Sequence, residues 1–235
     1  MRDDSLADHT ASPLNPLPGV VWVLILAMVA VEAVLSAAGW GLVGGARGVG
    51  WRIAAIEDHA FSSALQHWML ETRRFPPGML SRYLTFPFVH GAPMHALLSV
   101  VMLAALGKML APRLGVLRFL VLVLGVPVLA AIVFGLVVGQ DRLGWLFGAM
   151  PMAFALVGAF TWSRWHEAPD AAARRRAFSL IGMLLGVRLA FGLIAETGPS
   201  WVADLSAFAI GFALTALVLG PGSWARTRSR LRLRG

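Results

Sequence analysis

"FPFVHGAPMHALLSVVML", residues 86–103, decides the fold, because it is where loop sequence turns into a long apolar run. Pro93 suits the first position of a helix, where its missing N–H costs nothing. A membrane-crossing helix is therefore predicted to start there. His95 falls in its first turn, Ser99 lies one turn further along the same face, and His90 precedes the helix. Imidazoles at a bilayer need a partner or a purpose.

Working outward, six apolar stretches reach the about 20 residues that a span requires. They cover roughly 20–43, 88–111, 114–139, 144–163, 177–195 and 201–220. The 235 residues are 58% hydrophobic and 14% charged, with a mean hydropathy of +0.73. A soluble domain would carry about a quarter charged residues. The expected class is all-α, a polytopic six-helix membrane protein. The first stretch follows a weakly charged polar segment and exceeds the about 7–15 apolar residues of a signal peptide, so it reads as a retained span. The absence of cysteine excludes disulfides and thiolate chemistry.

Three parts are expected: a polar lead over 1–18, a membrane domain over 19–222 and an arginine-rich tail over 223–235. With alternating spans and an inside N-terminus, thirteen basic residues fall inside and six outside. Short loops rich in Arg and Lys stay in the cytoplasm, so both termini are expected there, in a bacterial inner membrane. The tail "RTRSRLRLRG" then reads as an anchor on anionic headgroups. With neither aromatic interleaving nor a fold motif, nucleic-acid binding is not expected.

The loop over 44–85 carries its own pattern. In "WRIAAIEDHAFSSALQHWMLETRR" the apolar positions Ile53, Ile56, Ala60, Ala64 and Trp68 recur at helical spacing. This predicts an interfacial amphipathic helix, with an ordinary loop containing a helical turn as the alternative. The prolines of "RRFPPG" end it. In the fourth span Gly148, Ala149, Ala155, Gly158 and Ala159, and in the sixth Ala203, Ala207 and Gly211, suit close helix contact.

Metal ligation by His90 and His95 would need a further Cys, His or carboxylate. No acidic residue lies between Glu71 and Asp141, and no other histidine lies in that interval, so neither a metal nor a cofactor is expected. With Lys108 and Arg118 counted at the inside ends of their spans, three charges remain within spans: Glu32, Arg188 and Asp204. Such groups turn inward and seek one another, which makes them ion-pair candidates, Arg188 with Asp204 above all. Separate snorkelling of the two is the alternative.

The spacing of His90, His95 and Ser99 resembles the rhomboid family of intramembrane serine proteases, whose second span shows His, four residues, His, three residues, Asn. "RYLTFPFVH" is similar to the family's approach to that segment, with Arg82 where a loop arginine usually stands. "LGKMLAPRLGVLRFL" resembles its junction between the second and third spans. The resemblance covers roughly 79–220 and implies six spans with a membrane-embedded first loop. It also implies an oxyanion-binding wall at His90, His95 and Ser99. At the family's Gly-x-Ser-Gly nucleophile motif this chain reads "GAMP", with Met150 for the serine and Pro151 for the second glycine. At its Ala-His-x-Gly-Gly motif it reads "ADLSA", with Asp204 at the base position. A thioether has no proton to give up and forms no acyl-enzyme. The resemblance thus implies a pseudoprotease that binds transmembrane helices of client or partner proteins in the lipid bilayer without cleaving them. An active serine endopeptidase with a non-standard nucleophile and a structural subunit of a larger membrane complex are the alternatives.

Overall fold

The computed structural model describes residues 17–139, 144–194 and 198–219. Helix α1 spans Gly19–Gly39. The loop after it holds α2 (Gly45–Gly48), α3 (Trp51–His59), the two-residue strand β1 (Phe61–Ser62), α4 (Ser63–Thr72) and α5 (Pro77–Thr85). A 3-10 turn at Phe86–Phe88 leads to α6 (Pro93–Leu114), which starts at the proline that the sequence singles out. Gly115, at φ 78°, ends α6 in a backbone conformation that side chains disfavour. The third span follows as α7 (Val116–Leu120), a π-helical turn (Val121–Gly125) and α8 (Val126–Val138). Strand β2 (Trp145–Leu146) precedes α9 (Met150–Glu167), α10 (Ala171–Arg176), α11 (Ser179–Ile194) and α12 (Trp201–Leu219).

By length and apolar composition, Gly19–Gly39, Pro93–Leu114 and Val116–Val138 can each cross a membrane, and Trp201–Leu217 is a shorter apolar helix. The protein is therefore an all-α membrane bundle. The fourth stretch differs from the expected 144–163: its first residues form β2 and a turn, and the helix runs on to Glu167. Helix α9 is also the central one, buried nearly all round from Pro151 to Ser163. A helix enclosed by other helices can carry Thr161 and Ser163 without facing lipid; the Ser163 hydroxyl donates to the Ala159 carbonyl.

The tightest packing is that of α9 on α12. A Cβ on Gly158 would lie 2.7 Å from the Phe212 nitrogen, and one on Gly211 would lie 2.9 Å from the Ala155 Cα. Each helix gives up a side chain so that the other's backbone can approach, which is how small residues serve helix contact in lipid. Around this pair the main core gathers Met28, Leu103, Leu110, Phe119, Met152 and Leu156. A second cluster, with Phe61, Phe86, Phe134 and Leu146, lies beneath the loop.

The loop departs from the single amphipathic helix predicted across 51–74. It breaks after His59, because Ala60 is extended and Phe61 and Ser62 pair antiparallel with Leu146 and Trp145. That strand partner lies more than eighty residues on, beyond the reach of local periodicity. The buried face of α4 is also not the predicted one: Ser63, Gln66 and Met69 point inward, while Trp68 is exposed, as is Ile53 on α3. The Gln66 amide donates to the Ile132 carbonyl at 3.1 Å, and the Tyr83 hydroxyl donates to Gln66 at 2.8 Å. His67 Nε2 lies 2.9 Å from the Gly135 carbonyl.

Candidate functional site

One cavity of about 320 Å³ gathers the polar groups of interest where α6, α9 and α12 all begin. Its lining includes His95, Phe147, Met150, Pro151, Ser200 and Asp204. Three residues far apart in sequence, His95, Met150 and Asp204, therefore face one space. Ser200, one helical turn before Asp204, joins them. It escaped the sequence reading, although a serine four residues ahead of a span carboxylate, behind a Gly-Pro turn, was a signal that could have found it.

The wall is built from its backbone outward. Gly148 has φ 87°, and a Cβ there would strike the His95 ring, with Nε2 only 2.8 Å away. Glycine is needed both for the turn and for the approach of the imidazole. The Gly148 N–H donates to the Phe86 carbonyl at 2.9 Å, and the Ala149 N–H donates to His90 Nε2 at 3.3 Å. Pro151 has no N–H. Both amides ahead of Met150 are thus committed inside the wall, where an oxyanion site would have them aimed at the cavity.

The two histidines divide accordingly. Their rings meet edge to face with centroids 5.3 Å apart, His95 facing the cavity and His90 buried behind it. Burial, reinforced by the neighbouring His95, pushes the His90 imidazole down to about 4, so it stays neutral. Since Nε2 accepts from Ala149, the proton sits on Nδ1, which makes no hydrogen bond among the described residues. Ser99 is buried, and its hydroxyl donates to the His95 carbonyl at 3.0 Å. Neither His90 nor Ser99 lines the cavity.

Behind His90 stands an ion pair that the sequence did not disclose. Arg52 Nη2 donates to Glu32 Oε1 at 2.6 Å and Nη1 to Glu32 Oε2 at 3.0 Å, while Nη1 also reaches the His90 carbonyl at 2.7 Å. Ser36 donates to the same carboxylate at 2.6 Å. Glu32 thus pairs with a loop arginine outside the spans. This fork is the geometry that makes Arg–carboxylate pairs rigid. Arg82 donates to the Ala60 carbonyl at 3.0 Å, at the break between α3 and β1. The Arg188 side chain lies outside the described residues, and with it the expected Arg188–Asp204 pair. Residues 1–16 and 220–235, most of the expected lead and all of the expected tail, lie outside them as well. Among the described residues no cluster of three His, Asp or Glu could hold a metal.

The family model of the Rhomboid domain matches residues 77–221, more than half of the chain. The chain belongs to the rhomboid family. No curated protein matches it. The matched region takes in Arg82, the two histidines, Met150, Ser200 and Asp204, so the cavity lies wholly within the rhomboid domain.

Proposed function

We propose that this rhomboid holds transmembrane segments of partner proteins at its cavity without cleaving them. The supporting observation is that Met150, which the motif resemblance sets at the family's nucleophile position, lines the cavity while the two amides before it are spent on Phe86 and His90. The thioether can pack against an apolar segment but can neither attack a carbonyl nor shed a proton. Catalytic groups at His90, His95, Ser99 and Asp204 are then remnants, and Glu32 and Arg82 brace the loop that covers them.

The test places the photocrosslinking residue p-benzoylphenylalanine at Trp145, on the cavity lining, in the full chain in native membranes. Intact single-span proteins crosslinked at full length are expected. Partner fragments of reduced mass would sink the reading.

A second reading rests on Ser200, the hydroxyl that shares the cavity with His95 and Asp204. It makes the protein a serine hydrolase whose nucleophile has moved to the head of the sixth span. A fluorophosphonate probe then labels the purified protein, and Ser200→Ala abolishes the labelling. No labelling of the wild type rejects this reading.

For orientation, we place both termini in the cytoplasm of a bacterial inner membrane, on the thirteen-to-six balance of basic residues. The natural lack of cysteine makes the test clean. An impermeant maleimide applied to spheroplasts should label Ala46→Cys and spare Ser229→Cys; the reverse result inverts the topology.

A further inference from the structure

At the end of the bundle away from the cavity, a groove of about 400 Å³ runs between the α6–α7 turn and the end of α12. That volume falls within the about 300–1,000 Å³ of ligand sites. Its walls are Leu114, Leu117, Val121, Leu122 and Leu214, and among the described residues its one charged lining residue is Arg118. The Thr215 hydroxyl, also on the lining, donates to the Gly211 carbonyl. Polar recognition therefore falls to the guanidinium. Leu117 and Val121 are exposed on the outer surface, so the groove opens toward lipid.

Two features set this groove apart from an ordinary gap between helices. The first is the π-helical turn at Val121–Gly125, which begins on the groove wall and widens the third span there. Such turns are frequent at functional sites. The second is charge. Arg113 lies 3.8 Å from Glu167, joining the ends of α6 and α9, and Arg174 lies over the Trp165 ring at 5.6 Å. Arg118, Arg164, Arg175 and Arg176 are exposed around the same end, with Glu167 and Asp170 as the acidic residues of that stretch. The mouth of an apolar groove thus sits within a basic collar.

We propose that this groove binds one anionic phospholipid, its phosphate on Arg118 and an acyl chain along Leu117, Val121 and Leu214. The chemistry is complementary at both ends: a guanidinium matches a phosphate diester, and the leucine-lined channel matches a hydrocarbon tail. The site is independent of the cavity and of what that cavity does.

Native mass spectrometry of the full chain, released from detergent micelles, tests it with dioleoyl phosphatidylglycerol and dioleoyl phosphatidylcholine as probes. One retained phosphatidylglycerol is expected, about fivefold preferred over phosphatidylcholine, in line with one arginine at a lipid surface. Arg118→Gln should erase that preference, Arg175→Gln should leave it, and Leu214→Trp should lower retention of both lipids by filling the channel. Leu117→Trp, at an exposed position, makes the same test where Leu214→Trp fails to fold. Equal retention of the two lipids overturns the proposal. So does an equal effect of Arg175→Gln, which would mean a diffuse collar, or displacement of the lipid by inorganic phosphate, which would mean an anion site. Retention unchanged by the tryptophan variants would remove the groove from the account.

Discussion

Where α9 meets α12, two backbones touch at Gly158 and Gly211 with no side chain between them. Where the loop between α1 and α6 meets the bundle, polar side chains reach over the Phe61–Phe134 cluster to a charge or a carbonyl: Arg52, Gln66 and His67. The difference follows from the solvent. Lipid tails are as apolar as leucine, so buried helices gain from close fit rather than from escaping water. A segment at the interface must instead satisfy its polar groups at fixed points, and those points set where it lies. The cavity sits where the two regimes meet. Its floor comes from α9 and α12, and its histidine wall is tied to the loop through Arg52 and the His90 carbonyl.

The seam is where the largest effect is expected. Gly158→Leu drives a side chain into the Phe208–Phe212 backbone, which cannot step aside as a side chain would. The cost should exceed the about 1–3 kcal/mol of ordinary overpacking and abolish the folded state. Gly182→Leu, where a Cβ meets open space, should leave thermal unfolding in micelles unchanged. Equal behaviour of the two variants would mean that close contact is not what holds the seam.

Next comes the loop's charged anchor. Arg52→Met leaves the Glu32 carboxylate in the first span without its guanidinium, an expected cost of about 3 kcal/mol. Glu32→Leu with Arg52→Met should recover most of that loss, because the uncompensated charge is then gone. Should the double variant melt no higher than Arg52→Met, the loop is held by its other contacts.

The histidine wall gives a pH-dependent version of the same comparison. His90 is held at about 4 in the folded chain, against an ordinary value near 6.5. Between those values the unfolded chain takes up a proton that the folded chain refuses. The contribution of His90 is therefore whole above pH 6.5 and shrinks as pH falls toward 4, by at most about 3 kcal/mol. His90→Gln keeps an acceptor for the Ala149 N–H and should flatten this acid limb in micelle melting curves. A limb of unchanged slope would assign it to other groups.

What could be read from the sequence divides along the same line. Hydropathy marked the spans, and the small residues marked the α9–α12 contact, because both are properties of a single helix face. The spacing of His90, ahead of the helix, and His95, in its first turn, pointed to the family because it is a local pattern of a few residues. The polar anchors were hidden because each joins residues that no period relates: Arg52 to Glu32 across a turn, Gln66 to Ile132, and β1 to β2. The sequence also placed His90 and Ser99 beside His95 on one wall. It could not show that His90 would spend its ring on Ala149, or Ser99 its hydroxyl on the His95 carbonyl.

The smallest effect concerns a glycine that serves the polar regime rather than the seam. A Cβ on Gly135 would fall 2.5–2.7 Å from the Gln66 amide, the group that ties α4 to the third span. A side-chain amide can swing away where a backbone cannot, so Gly135→Ala should cost about 1 kcal/mol, the worth of one such hydrogen bond. Hydrogen exchange should then rise in α4 and stay unchanged in α9. In a Gln66→Ala background the amide is already absent, and Gly135→Ala should cost nothing further. An undiminished cost there would mean that Gly135 is needed for the third span itself, and that the loop rests on it only by proximity.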